Sequence, residues 1–221
     1  MIFNFLFLIF SFFSLMFITS EGIAGKLREK QIAAHSFSDS SSKLYLNGKK
    51  LYTKKLCYTC HGIEGRHSII SSYPILNGQK NNYLLQQMMD IRDGKRNNGM
   101  SSMMRAVTLN VSDAEMVAIA NYLSCLSAEK KDMRKQIISV SNGKKLYKNK
   151  LCHTCHGANG RNPVSNYPIL AGQNKDYLIQ QIIDIKNKKR INGMSNAMSP
   201  FLGLVSNEEL KEISKYLASL N

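Results

Sequence analysis

Lys55-Leu-Cys57-Tyr-Thr-Cys60-His61-Gly62 and Lys150-Leu-Cys152-His-Thr-Cys155-His156-Gly157 are two copies of one pattern, 95 residues apart. Cys-x-x-Cys-His is the attachment signature of c-type haem. The two thiols add to the porphyrin vinyl groups, and the histidine beside the second thioether reaches the iron from one face of the ring. Two copies imply two covalently bound haem c groups. Cys57 and Cys60 would hold one and Cys152 and Cys155 the other, with His61 and His156 on the irons. Two Cys-x-x-Cys pairs can also build a tetrahedral zinc site, and exported cysteines can form disulfides. Here each pair carries its own histidine inside a matching stretch of sequence, which describes two equivalent sites rather than two halves of one. Disulfides would need neither histidine.

The repetition extends well beyond the cysteines. Asn47-Gly-Lys-Lys-Leu-Tyr52 recurs as Asn142-Gly-Lys-Lys-Leu-Tyr147, and Tyr73-Pro-Ile-Leu76 as Tyr167-Pro-Ile-Leu170. The offset falls from 95 to 94 between them, so one residue is lost in the intervening loop. A two-fold repeat of this length implies tandem domains rather than a solenoid.

Each repeat reads as helical. Leu44, Gly48, Leu51 and Tyr52 approach the first cysteines on one helix, and Gly143, Leu146 and Tyr147 the second. A middle helix shows apolar spacing at Tyr83, Leu84, Met88 and Ile91, matched by Tyr177, Leu178, Ile182 and Ile185. A last helix opens on a capping box, Ser112-x-x-Glu115 and Ser206-x-x-Glu209. No strand-like alternation of useful length occurs, so the expected fold is all-α. Units of about 80 residues bury little surface alone, and a large apolar ring at the centre of each would supply much of the missing core.

Met1 to Thr19 is apolar apart from Asn4 and a few hydroxyls; the first charge is Glu21 and the first basic side chain Lys26. This reads as an export signal cleaved after Ser20 or Ala24, or as a retained anchor, since a span takes about 20 apolar residues. The expected organisation is a signal peptide or membrane anchor over 1–24, a flexible Ser-rich tether over 25–42, a first domain over 43–127, a charged linker over 128–139 and a second domain over 140–221. The net charge is +15. A basic exported protein is steered to acidic docking patches or anionic head groups. Export and the lack of any nucleic-acid motif exclude a nucleic-acid partner.

The second axial ligand separates electron transfer from catalysis. Beyond His61 and His156 there are only His35, His67 and His153, none at equivalent positions, which argues against bis-histidine ligation. His153 is expected to point outward. Methionine numbers 11, and two pairs recur at an offset of 94: Met100 with Met194, and Met104 with Met198. All four fall in an expected loop before the capping box. Met104 and Met198 each lie eight residues before the capping serine, and Pro200 stiffens the chain beside Met198; this pair is preferred, the earlier pair staying open. Arg96 and Arg190 also recur, as surface residues or as partners for haem propionates. Gln79 and Gln173 are expected to hydrogen-bond within the haem loop. Cys125 has no counterpart and is expected to be buried and structural.

The order Cys-x-x-Cys-His-Gly, Tyr-Pro-x-Leu-x-Gly-Gln, Tyr-Leu-x-x-Gln, Arg, Met, Ser-x-x-Glu and Tyr-Leu resembles the class I cytochromes c, and its duplication resembles the di-haem cytochrome c4 family. The likeness runs from about Lys43 to Asn221. It implies two small helical domains packed about a pseudo-two-fold axis with their propionates facing, and Pro74 and Pro168 carbonyls accepting from the ligating histidines. It also implies Met104 and Met198 as the sulfur ligands. The basic charge, the uncharged leader and Cys125 depart from that pattern.

The implied function is one-electron transfer without catalysis, because His/Met ligation favours Fe(II) and leaves no open site. The expected partners are a quinol-oxidising complex and a terminal oxidase, in the periplasm, with a possible tether to the inner membrane. Rival readings are a haem enzyme (a di-haem peroxidase or thiosulfate dehydrogenase) and the cytochrome subunit of a flavoprotein sulfide dehydrogenase.

Overall fold

The computed structural model describes residues 40–126 and 140–220. The expected leader and linker, and the tether as far as residue 39, lie outside the described residues. The first half contains α1 (40–54), α2 (Tyr58–His61), a 3₁₀ turn (Ile63–Gly65), α3 (Asn81–Arg92), α4 (Ser101–Thr108) and α5 (Asp113–Cys125). The second repeats it with α6 (Ser141–Asn149), α7 (His153–His156), α8 (Lys175–Lys186), α9 (Ser195–Leu202) and α10 (Asn207–Ala218). No strand occurs among the described residues.

The last helix of each half organises its core. Met116, Ile119, Tyr122 and Leu123 of α5 pack with Leu51 and Tyr52 of α1 and Leu84 of α3. Leu210, Ile213, Tyr216 and Leu217 of α10 meet Tyr147 and Leu178 in the same way. The first and last helices cross so closely that only glycine fits. A Cβ on Gly48 would lie 2.0 Å from the Ala118 carbonyl oxygen, and one on Gly143 2.2 Å from that of Glu212. Both capping boxes form: Glu115 N donates to Ser112 Oγ at 3.3 Å and Ser112 N to Glu115 Oε2 at 2.9 Å. Ser206 and Glu209 repeat the exchange.

Four details differ from the sequence reading. Residues 40–42 are helical, where the sequence reading placed the end of a tether. The methionine loop is a two-turn helix in both halves. Ser101 to Thr108 contains no glycine or proline to stop it, and Pro200 is accommodated near the end of α9, where the missing N–H removes a single bond. Cys125 is exposed as the last residue of α5, where the chain turns extended at Leu126. His153 is half-buried, with its Nδ1 shielded from solvent.

The two halves lie in one compact body over residues 44–221. A reciprocal clasp joins them. Gln79 Nε2 donates to the Ile169 carbonyl at 2.9 Å while Gln79 Oε1 accepts from Ile169 N at 2.8 Å. Gln173 does the same to Ile75, at 2.9 and 2.8 Å. The glutamines expected to hydrogen-bond within the haem loop do accept from the next residue's N–H, at 3.0 and 2.9 Å, and they also pair with the backbone of the opposite half.

Candidate haem sites

Local backbone conformation presents each Cys-x-x-Cys-His segment. The residue before the first cysteine, Leu56 or Leu151, takes a left-handed conformation (φ 58° and 60°). A single helical turn then puts both thiols and the imidazole on one side. Gly62 and Gly157 follow with φ of 77° and 79°, and a Cβ there would lie 2.0 Å from the His67 carbonyl oxygen or 2.5 Å from that of Asn162. The glycine after the histidine is therefore demanded twice, by torsion and by space. Tyr52 and Tyr147 lock the turn, each hydroxyl donating at 2.8 Å to the carbonyl of that glycine.

His61 and His156 are both 7 % exposed. Their Nδ1 atoms lie 3.1 Å from the carbonyl oxygens of Pro74 and Pro168. A carbonyl only accepts, so Nδ1 carries the proton and Nε2 keeps its lone pair for a metal. Burial pulls both imidazoles below the usual histidine pKa, against the opposing pull of the proline carbonyls, and so favours the neutral, ligating form. Burial likewise pushes the Cys57 and Cys152 thiols up to about 11, an apolar setting that suits thioethers rather than zinc thiolates. Among the described residues no three of His, Cys, Asp or Glu come together as a metal cluster, so the cysteine pairs do not converge on one zinc site.

These groups line a cavity of about 1490 Å³ that runs through both halves. A pocket for one organic ligand measures roughly 300–1,000 Å³, so this volume suits two. All four motif cysteines, His61 and His156 line it, together with Leu84, Ile91, Leu178 and Ile185. Two apolar rings with imidazole-bound iron fit that lining. Met104 and Met198 line the same cavity and are half-buried. Met100 and Met194 also reach it, but as the N-caps of α4 and α9, 40 % and 59 % exposed.

The residue pattern of the cytochrome c model matches positions 45–127 and again 140–221. A cytochrome c4 from Pseudomonas aeruginosa is 30 % identical over 177 residues, covering 75 % of this chain and 84 % of its own. The chain belongs to the cytochrome c4 family. A solved structure of cytochrome c4 from Acidithiobacillus ferrooxidans superposes with a TM-score of 0.65 at 26 % identity, covering 74 % of this chain and 98 % of its own. A protein of Stutzerimonas stutzeri named thiosulfate dehydrogenase electron acceptor is 26 % identical over 207 residues, 90 % of this chain and 93 % of its own. As a cytochrome c4, this protein carries two covalently bound haem c groups, one in each cytochrome c domain, and is an electron carrier.

A polar network beside the cavity was not legible as such in the sequence. Arg96 and Arg190, read there as surface residues or propionate partners, are 7 % and 8 % exposed. Each crosses the domain boundary: Arg96 Nη2 donates to Tyr177 OH at 3.1 Å and Arg190 Nη2 to Tyr83 OH at 3.2 Å. Asn98 donates to Asp184 and Asn192 to Asp90, both at 2.6 Å. Burial alone would raise the Tyr177 phenol, but the two guanidiniums draw it below its ordinary value. The only available signal was that these residues recur at an offset of 94, a property shared by everything else in a duplicated chain.

Proposed function

We propose that this cytochrome c4 is an exported shuttle, soluble or tethered, that takes electrons from a quinol-oxidising complex in the periplasm and delivers them to a terminal oxidase. Cys57, Cys60, Cys152 and Cys155 would attach the haems, and His61 with Met104, and His156 with Met198, would hold the irons. The observation that carries this reading is the pairing, in each domain, of an imidazole with fixed tautomer and a half-buried thioether on one cavity. Bound haem supplies reversible one-electron chemistry at iron. The chain's part is to hold the imidazole through the proline carbonyl, to keep water from the apolar ring and to offer a methionine sulfur from the same cavity, so that little would move when the charge changes. With Met104 and Met198 holding the irons, no position would be left for a substrate, which favours a carrier over a peroxidase. Among the described residues no helix is long and apolar enough to cross a membrane.

Stopped-flow mixing of the oxidised holo-protein with a purified quinol–cytochrome c oxidoreductase tests the donor. Reduction of both haems within the turnover time of that complex is expected, and failure to reduce either rejects the assignment. A second reading, electron acceptor of a thiosulfate-oxidising enzyme, is favoured by the long match to the Stutzerimonas stutzeri protein. It predicts fast reduction by such an enzyme with thiosulfate and slow reduction by the quinol complex.

A further inference from the structure

Two buried guanidiniums, one from each domain, are drawn together beside the haem cavity on neutral acceptors. Gln87 Oε1 accepts from Arg96 Nη1 at 2.9 Å and from Arg190 Nη2 at 3.0 Å. Gln181 Oε1 accepts from Arg96 Nη2 at 2.9 Å and from Arg190 Nη1 at 3.0 Å. Among the described residues neither arginine has a carboxylate oxygen within 4.0 Å. Asp90 and Asp184 stand behind the network, holding Asn192 and Asn98, and do not line the cavity; both arginines do.

A guanidinium has five N–H donors. With Asn98 and Asn192 taking the Nε protons, four are used on each arginine, and one Nη1–H remains. Burying two like charges on shared neutral acceptors is costly. Asp184 acts on Arg190 only through space, from behind the network, and among the described residues the cavity side supplies no negative charge of its own. The arrangement calls for anions delivered from the cavity side, and each haem brings two carboxylates.

We propose that Arg96 and Arg190 form a single cationic seat for the haem carboxylates, shared by both domains, so that each arginine sets the reduction potentials of both haems. This rests on the two-haem assignment above. Each guanidinium is clamped by a tyrosine and a glutamine of the other domain, so neither belongs electrostatically to its own haem alone. The arginines are positioning residues: removing one positive charge favours the ferric state on both sides of the boundary.

The test is Arg96→Gln in the holo-protein, with haem counted first by pyridine haemochrome and both potentials then read by spectroelectrochemical titration. Two haems per chain are expected. At a fixed applied potential the ferrous-to-ferric ratio of each should fall about tenfold, about 59 mV for one electron. Arg96→Lys, which keeps the charge, should hold both haems near the parent. A shift confined to the first domain's haem, an unchanged pair of potentials, or an equal fall in the lysine variant overturns the proposal. Should the glutamine variant not load haem, infrared redox-difference spectra of the unsubstituted protein carrying guanidino-¹³C arginine decide the matter. Labelled bands should move with both reduction steps, and their absence from either overturns the shared seat. Fewer than two haems in the parent protein would instead defeat the underlying assignment.

Discussion

Gln79 is held by both backbone groups of Ile169, as a neighbouring strand would hold it, with 2.9 Å from its amide nitrogen to the carbonyl and 2.8 Å from Ile169 N to its amide oxygen. The side chain is 7 % exposed, so its loss strands a backbone donor and an acceptor at the interface. Leaving a buried group without a partner costs about 1–3 kcal/mol. Gln79→Leu should therefore lower the denaturant midpoint and split the unfolding curve into two domain transitions. Asn82→Ala, which removes one exposed contact at 3.4 Å to Asn166, should leave both unchanged.

Met104 and Met100 separate spectroscopically. Met104→Ala should abolish the weak long-wavelength methionine–ferric band of one haem, halving its intensity, and lower the potential of that haem. Met100→Ala should preserve the full band. The opposite pattern in oxidised absorption spectra would move the ligand to the start of α4.

Gly48 marks the crossing of α1 and α5. With a Cβ placed 2.0 Å from the Ala118 oxygen, Gly48→Ala forces the helices apart, an overpacking cost of about 1–3 kcal/mol or more. Reduced haem content per chain and a lower thermal midpoint are expected, with Gly143→Ala similar at 2.2 Å from the Glu212 oxygen.

Glu115 carries a pH signature. Its hydrogen bond from the Ser112 backbone N–H, and then Lys55 at 2.9 Å, hold its carboxyl below the usual value of 4.5. A lowered folded-state pKa means stability that is fully present above 4.5 and is lost as the pH falls through the lower folded value. Glu115→Gln should flatten that part of the acid-unfolding curve and change little at neutral pH. Ser112→Ala, by contrast, should cost about 1 kcal/mol at neutral pH through the lost cap, measured by denaturant titration.

Much of this protein was readable in one dimension because its signals are local. Cys-x-x-Cys-His-Gly needs one helical turn and one positive-φ residue, and Ser-x-x-Glu closes within a single turn of helix. Both depend on neighbours in the chain, and the duplication states them twice. Where a reading failed, the deciding partner was remote. The exposure of Cys125 depends on how far the packing of the first half reaches along α5. The methionine segment, expected as a loop, is helical, with Met104 and Met198 on the cavity formed with the other helices.

Covalent haem attachment and a two-fold, all-helical chain were thus determined by the sequence by itself. Only the tertiary structure decided that Gln79 and Gln173 clasp opposite domains and that Arg96 and Arg190 meet in the interior. Their partners lie some 80 to 110 residues away, and a repeat pattern cannot distinguish an arginine facing water from one facing its counterpart. That choice is made by burial and hydrogen-bond closure when the two domains pack.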